Sequence, residues 1–181
     1  MRTVKCIIVT GTPGCGKTRI AKALARELGW TYVDGKHIIT ALPLSYDARR
    51  KCTIVDEDAF AKAAQKRIIK LQGRVVVDSH LSHFIDPAVC RACIVVTCPR
   101  DVLFDRLRQR GYLMKKIDDN MQCEIMEVCK AEALELGHHV IEVSGVGMLD
   151  VHALKRRLRI GSGLVKAKSN FKGKEEKRKR R

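Results

Sequence analysis

Aromatic side chains are scarce in this 181-residue chain, at 4% of its residues. Its interior must therefore be built from Ile, Val, Leu and Ala, and the 45% hydrophobic content supplies enough for one packed domain. No apolar run reaches the roughly 20 residues of a membrane-spanning helix, and the short apolar stretch near the N-terminus has no cleavage pattern. These absences predict a chain with no membrane association, soluble and intracellular: cytoplasmic, with the nucleus added if the source is eukaryotic. Acidic residues are also in short supply, with 20 Asp and Glu against 36 Lys and Arg, a formal net charge of +16. A surplus of that size predicts attraction to polyanions such as RNA and says little about fold. Internal repeats are not apparent.

The eight cysteines (Cys6, Cys15, Cys52, Cys90, Cys93, Cys98, Cys123 and Cys129) are scattered. Several fall in apolar runs that read as strands, where a reduced thiol packs as a small hydrophobe. His80 and His83 have the spacing of a metal-ligand pair, as do Cys90 and Cys93. Cys93, however, opens the apolar run CIVV, whose side chains would face a core, so packed thiols are favoured over a zinc site.

Short apolar runs alternate with helical patterns. Strands are predicted at VKCIIVT (4–10), WTYVD (30–34), RVVVD (74–78), ACIVVT (92–97) and HHVIEVS (138–144). Ile20, Leu24 and Leu28 recur at helical spacing before Gly29. Further helices are predicted from Asp56 to Gln72, from about Asp101 to Arg110 and over 148–160. One long helix is predicted from about Lys116 to Leu136, with Ile117, Met121, Ile125 and Val128 on one face. Residues 35–55, with Pro43, show little periodicity. The alternation predicts an α/β domain over 1–160, with a five-stranded parallel sheet flanked by helices. The composition shifts at Gly161. From there to Arg181, nine Lys or Arg face two Glu, a surplus of seven positive charges with almost nothing apolar, and the segment is predicted to be a disordered basic tail.

Between the first strand and the first helix lies GTPGCGKT. It meets the pattern G-x-x-x-x-G-K-[ST] through Gly11, Gly16, Lys17 and Thr18. Glycines let such a loop wrap so that its N–H groups converge on phosphates, and the following helix adds its positive end. The motif predicts a bound nucleotide, with Lys17 on the β- and γ-phosphates and the Thr18 hydroxyl on Mg²⁺. Cys15 occupies a free position where only the backbone binds. Asp78 ends the third strand, where a carboxylate can hold Mg²⁺ through water. His80, two residues on, is placed to orient or deprotonate a water, with a structural histidine as the alternative. In DRLRQRGY (105–112), Arg106, Arg108 and Arg110 cluster, and Arg106 and Arg110 share a face. A mobile cation suits phosphoryl transfer, and Arg110, beside the Gly111 hinge, is the candidate; a solvated helix face is the alternative.

Taken together, GTPGCGKT, VVVDSH, RLRQRGY and KKIDDNMQCEI resemble the small adenylate-kinase-like family of ribosome-assembly factors whose eukaryotic member is adenylate kinase isoform six. The most specific piece is RGYLMKKIDDNMQCEIMEV, through Arg110, Gly111, Tyr112, Lys116, Asn120 and Glu124. DSHLSH and VIEVSG are more similar to archaeal members. The resemblance covers about residues 4–158 and is weak over 35–55. It implies a nucleoside monophosphate kinase fold, with a monophosphate-binding arm at about 34–55 and a lid at about 109–119. It also implies adenylate kinase activity on ATP and AMP, or another nucleoside monophosphate, together with ATPase activity. The implied setting is late maturation of the small ribosomal subunit at the end of its rRNA, with the ribosomal protein uS11 as partner. Carried over, the ATP contacts are Gly14, Gly16, Lys17, Thr18, Arg19 and Arg110, and Asp78 with His80 forms an Asp-x-His hydrolysis motif. Two features depart from the family: Arg19 stands where Thr or Ser is usual, and the tail has no counterpart. The basic surplus favours a ribosome-associated role, since phosphate contacts release counterions. A chain that only gates assembly by ATP hydrolysis is the alternative, and KRKRR also reads as a nuclear-targeting run.

Overall fold

The computed structural model describes residues 6–42, 45–47 and 52–160. The basic tail and part of the aperiodic 35–55 segment lie outside the described residues.

Strand β1 (Cys6–Thr10) is CIIVT, buried along its whole length. An apolar run of this kind suits a parallel strand covered on both faces. The chain continues through α1 (Lys17–Leu28), β2 (Thr31–Asp34), α2 (Gly35–Ile39), a two-stranded hairpin of β3 (Ser45–Asp47) and β4 (Cys52–Ile54), α3 (Glu57–Lys70) and β5 (Val75–Asp78). Two 3₁₀ turns, Ser82–Phe84 and Pro87–Val89, lead into β6 (Cys90–Thr97). Then follow α4 (Arg100–Gln109), α5 (Met114–Ile125), α6 (Val128–Glu135), β7 (Val140–Ser144) and α7 (Val151–Arg157). The main sheet has five strands in the order β2-β5-β1-β6-β7. Every pairing in it is parallel. The expected five-stranded parallel sheet flanked by helices is therefore observed. With β1 central, the chain leaves it toward β2 on one side and later fills β6 and β7 on the other. The carboxyl end of β1 thus lies at a topological switch point, where ligands bind in open α/β sheets.

Side chains alternate across the sheet. Ile7, Val9, Val76 and Ile94 face a core layer with Ile20, Leu24, Leu103, Leu107 and Ile117. Cys6, Ile8, Val75, Val77, Cys93 and Val95 face a second layer with Phe60, Ala64, Ile68 and Ala133. Cys93 is thus a core residue, and Cys90 lies with its sulfur 3.3 Å from that of Cys6.

Two expectations need correction. The single helix over 116–136 is two helices, α5 and α6, broken where Glu127 takes the left-handed conformation (φ 51°, ψ 36°). The reason is packing. Ile117 of α5 belongs to the first layer and Ala133 of α6 to the second, so the chain must pass from one face of the sheet to the other. A straight helix cannot do both, and Ile125 and Met126 are left exposed at the break instead of continuing a buried face. Residues 35–55 contain α2 and the hairpin, elements of three to five residues. Such pieces are too short to establish a period.

Candidate active site

The loop between β1 and α1 is shaped by its glycines. Gly11 sits at φ 131°, and a Cβ there would lie 2.3 Å from the Val96 carbonyl oxygen. No side chain caps the start of α1, whose N-cap is Gly16. The first-turn amides are therefore left to an external acceptor, at the positive end of the helix. The Lys17 ammonium folds back and donates to the carbonyls of Gly11 (2.7 Å) and Thr12 (3.0 Å).

Thr18, one residue into α1, donates its hydroxyl to Asp78 Oδ2 at 2.6 Å. The Tyr32 phenol donates to the same oxygen at 2.9 Å. Parallel pairing of β2 with β5 makes this possible by setting Val33 beside Val77 and Asp34 beside Asp78. Burial, and next the Asp78 charge, push the Tyr32 pKa well above the usual phenol value, so Tyr32 remains a donor. A hydroxyl and a buried carboxylate converging beside a phosphate loop are the oxygen donors that Mg²⁺ takes, directly or through water.

The turn after Asp78 is laced to β1. Ser79 N–H donates to the Val9 carbonyl (3.2 Å), and the Ser82 hydroxyl is placed to donate to Val9 (3.0 Å) and Ser79 (2.9 Å) carbonyls. His80 is exposed at this turn. Surrounding protein atoms, and then the Lys17 and Lys116 charges, hold its pKa down to about 4. Water at its exposed edge weakens that effect, but the direction leaves a neutral imidazole at pH 7. The buried structural histidine of the pair is His83, 1% exposed. Its ring meets Thr10 and Glu132.

Of the arginines, Arg106 reaches the loop. Its guanidinium donates to the carbonyls of Gly14 (3.2 Å), Cys15 (3.4 Å) and Gly145 (3.4 Å). Gly145, which follows β7, presses on the loop from behind: a Cβ there would lie 1.6 Å from the Cys15 carbonyl oxygen. Arg108 turns to the Phe104 ring. Arg110 is exposed at the end of α4, ahead of Gly111 at φ 70°, and Arg19 is exposed on α1. Beside the loop lies a cavity of about 380 Å³, lined in part by Gly11, Thr12, Cys98, Glu124 and Lys130. Glu124 accepts from Cys98 N–H at its edge, at 2.8 Å.

The structure thus brings Lys17, Thr18 and Asp78 together and sets His80 on the adjoining turn, with Arg19 and Arg110 on the surface. Tyr32, Arg106 and Gly145 are contacts that sequence reasoning did not single out. Arg106 stood in the basic cluster without being preferred. Gly145 carried a signal of its own, a glycine directly after the last strand. Nothing in the sequence marked Tyr32.

The sequence pattern of a family described as an AAA domain matches residues 7–127. The adenylate kinase isoenzyme 6 homolog of Drosophila melanogaster is 34% identical over 150 residues, covering 81% of this chain and 85% of that protein. The Caenorhabditis elegans protein of the same name is 32% identical over 131 residues, 71% of this chain and 72% of its own. The shikimate kinase of Acinetobacter baumannii, solved with shikimate, superposes with a TM-score of 0.54 over 87% of this chain and 92% of its own. At 16% identity that likeness shows the fold alone. With the phosphate loop at the switch point of a five-stranded parallel sheet, and relatives aligned along most of its length, this chain belongs to the adenylate kinase isoenzyme 6 family of P-loop nucleotide kinases.

Proposed function

We propose that this chain is a Mg²⁺-dependent adenylate kinase that passes the γ-phosphoryl group of ATP to AMP, and that it also hydrolyses ATP. The observation that carries the reading is the meeting of the Thr18 hydroxyl and the Asp78 carboxylate at 2.6 Å, beside the uncapped start of α1. ATP lies with its phosphates on the amides of Gly11, Gly14, Cys15, Gly16, Lys17, Thr18 and Arg19. Lys17 exchanges the Gly11 and Thr12 carbonyls for phosphate oxygens. Thr18, and Asp78 through water, would hold Mg²⁺, which would supply positive charge to offset that of the phosphates. AMP sits under an arm of about 34–55, within domain 1–160. A lid of about 109–119, hinged at Gly111, carries Arg110 to the transferring group.

An oxygen of the AMP phosphate attacks the γ-phosphorus in line as the bond to the ADP leaving oxygen breaks, giving two ADP. Such a transition state asks for positioning and charge more than covalent help. When water is the acceptor, neutral His80 accepts a hydrogen bond from it and takes its proton, and the products are ADP and phosphate.

The formal charge of +16 supports a site of action on RNA. With the family resemblance it supports a role in late small-subunit rRNA maturation, with uS11 as partner and the basic segment 161–181 as an RNA contact. The cellular location follows that of pre-ribosomes, cytoplasmic or shared with the nucleus. Among the described residues no helix is long and apolar enough to cross a membrane. The same charge favours the second reading, an assembly ATPase without a metabolic kinase role.

ATP turnover measured alone, with AMP, and with purified uS11 separates these. AMP-dependent ADP formation supports the kinase, and phosphate release raised by uS11 supports the assembly ATPase. Turnover indifferent to AMP would remove the first reading, and indifference to uS11 the partner.

A further inference from the structure

Behind Asp78 runs a line of buried hydrogen bonds that phosphoryl transfer does not use. Glu132 Oε2 on α6 lies 2.8 Å from His83 Nε2. His83 Nδ1 lies 2.7 Å from the hydroxyl of Thr10, the last residue of β1. That hydroxyl is also 3.2 Å from the carbonyl oxygen of His80. Thr10 is fully buried, the His83 side chain is 2% exposed and that of Glu132 is 40% exposed. His138 Nε2 meets the His83 carbonyl at 2.7 Å and fixes the turn from the other side.

We propose that Glu132, His83 and Thr10 form a positioning relay that sets the backbone at His80, linking the surface of α6 to the residue assigned to the attacking water. The proposal rests on the reading of His80 given above.

Hydrogen counting shows how the relay acts. Thr10 has one hydrogen and two acceptors within reach. With Glu132 ionised, His83 donates from Nε2 and its bare Nδ1 takes the Thr10 hydrogen, so the His80 carbonyl goes without it. When the proton taken up by the Glu132–His83 pair reaches the ring, Nδ1 carries a hydrogen, whichever partner holds the one between Nε2 and Oε2; a proton held on Glu132 Oε1 instead leaves Nδ1 bare and the first arrangement in place. Thr10 then accepts from Nδ1 and turns its own hydrogen to the His80 carbonyl. The heavy atoms stay in place and two discrete arrangements differ by one proton, which enters at the exposed carboxylate.

The surroundings select between them. Burial, then His138 and His80, hold the His83 pKa down to about 4. Burial, then Glu57 at the start of α3 and Glu135 on α6, push Glu132 above the usual carboxylate value. Cys123 of α5 and Cys129 of α6 also face Glu132. A charged imidazolium–carboxylate pair would show the opposite shifts. At neutral pH the neutral ring and ionised carboxylate hold the first arrangement, and acidification brings in the second.

Two readouts on the full chain test this. In ¹⁵N-histidine NMR, His83 should show a bare Nδ1 at neutral pH that gains a hydrogen on acidification, with the midpoint moved in Glu132→Ala. A hydrogen on Nδ1 at neutral pH, or an unmoved midpoint, overturns the relay. Kinetically, exchange of the two arrangements should give a step in the pH profile of kcat for AMP-independent hydrolysis that Thr10→Val, nearly isosteric, removes and Glu132→Ala moves, with KM for ATP and transfer to AMP unchanged at neutral pH. Glu132→Ala, at a half-exposed position, carries the test if Thr10→Val melts early. A step that survives unmoved in both variants, while His80→Ala lowers hydrolysis, overturns the relay alone. Hydrolysis unmoved in His80→Ala overturns the role of His80 in water attack, and the NMR result then decides whether the relay exists.

Discussion

Tyr32 donates its phenol hydrogen to Asp78 Oδ2 from 2.9 Å, the same oxygen that accepts the Thr18 hydroxyl. One carboxylate oxygen is thereby fixed by two donors from different elements. Hydrogen-bond partners around a metal site orient the groups that hold it, and their loss typically costs about 10–100-fold in metal affinity. Tyr32→Phe should raise the Mg²⁺ concentration needed for half-maximal ATP turnover about tenfold, with little change at saturating Mg²⁺. An unchanged Mg²⁺ titration would mean that Tyr32 serves the fold only.

Lys17 spans the loop entrance by donating to Gly11 and Thr12. Its ammonium ties the loop to itself, and in the proposed reading it neutralises phosphate when ATP arrives. Lys17→Ala should therefore lower both transfer and hydrolysis by about a thousandfold, the loss expected for a preorganised charge on the transition state. A coupled ADP assay showing normal turnover would remove the site assignment.

Arg106 donates to three backbone carbonyls on the outer side of the loop, at 3.2–3.4 Å. A planar fork can reach several acceptors at once, and a lysine ammonium on a thinner stem cannot reproduce that spread. Arg106→Lys should raise KM for ATP about tenfold while far-ultraviolet circular dichroism stays native. If Lys restores wild-type KM, the positive charge alone is sufficient and the fork geometry is not used.

The contrast between Arg106 and Arg110 shows where sequence reasoning stops. Both stand on one helix face, and the glycine after Arg110 favoured it as the mobile cation. The packing of α4 through Leu103 and Leu107, which are buried against Gly14, also brings Arg106 onto the loop, while Arg110 stands about one turn further on, at the end of the helix. That placement follows from tertiary packing and leaves no local mark. The phosphate loop was legible because its chemistry is contiguous, and the five strands because their apolar runs are β-branched and short. Tyr32 and Asp78 are 46 residues apart and meet only through strand order. The break at Glu127 was hidden for a similar reason: a left-handed glutamate has no compositional signature, and the turn exists because α5 and α6 pack on opposite faces of the sheet.

Gly145 tests the loop from the opposite side to Lys17. A methyl group there would sit 1.6 Å from the Cys15 carbonyl oxygen and 3.0 Å from Val96. Backbone cannot yield as a flexible side chain does, so Gly145→Ala must push the loop forward, at a cost of about 1–3 kcal/mol. The sheet does not depend on that contact. The expected outcome is a fold that melts a few degrees lower and binds ATP at least tenfold more weakly by calorimetric titration. Native ATP affinity would show that the loop tolerates displacement, and that its amides are placed by the ligand and not by β7.

Deleting residues 162–181 removes nine Lys or Arg and two Glu while keeping every described residue. ATP turnover should therefore stay at the full-length value. RNA affinity should not, because each phosphate that the tail no longer neutralises reduces the slope of log K against log salt by about 0.7 on single strands. Binding to a pre-ribosomal RNA fragment, followed by fluorescence anisotropy from low to physiological salt, should show the truncated chain weaker at low salt and flatter across the range. The size of the slope change gives the number of phosphates that the tail neutralises. An unchanged slope would assign RNA attraction to the folded domain, whose own basic surplus remains after the deletion.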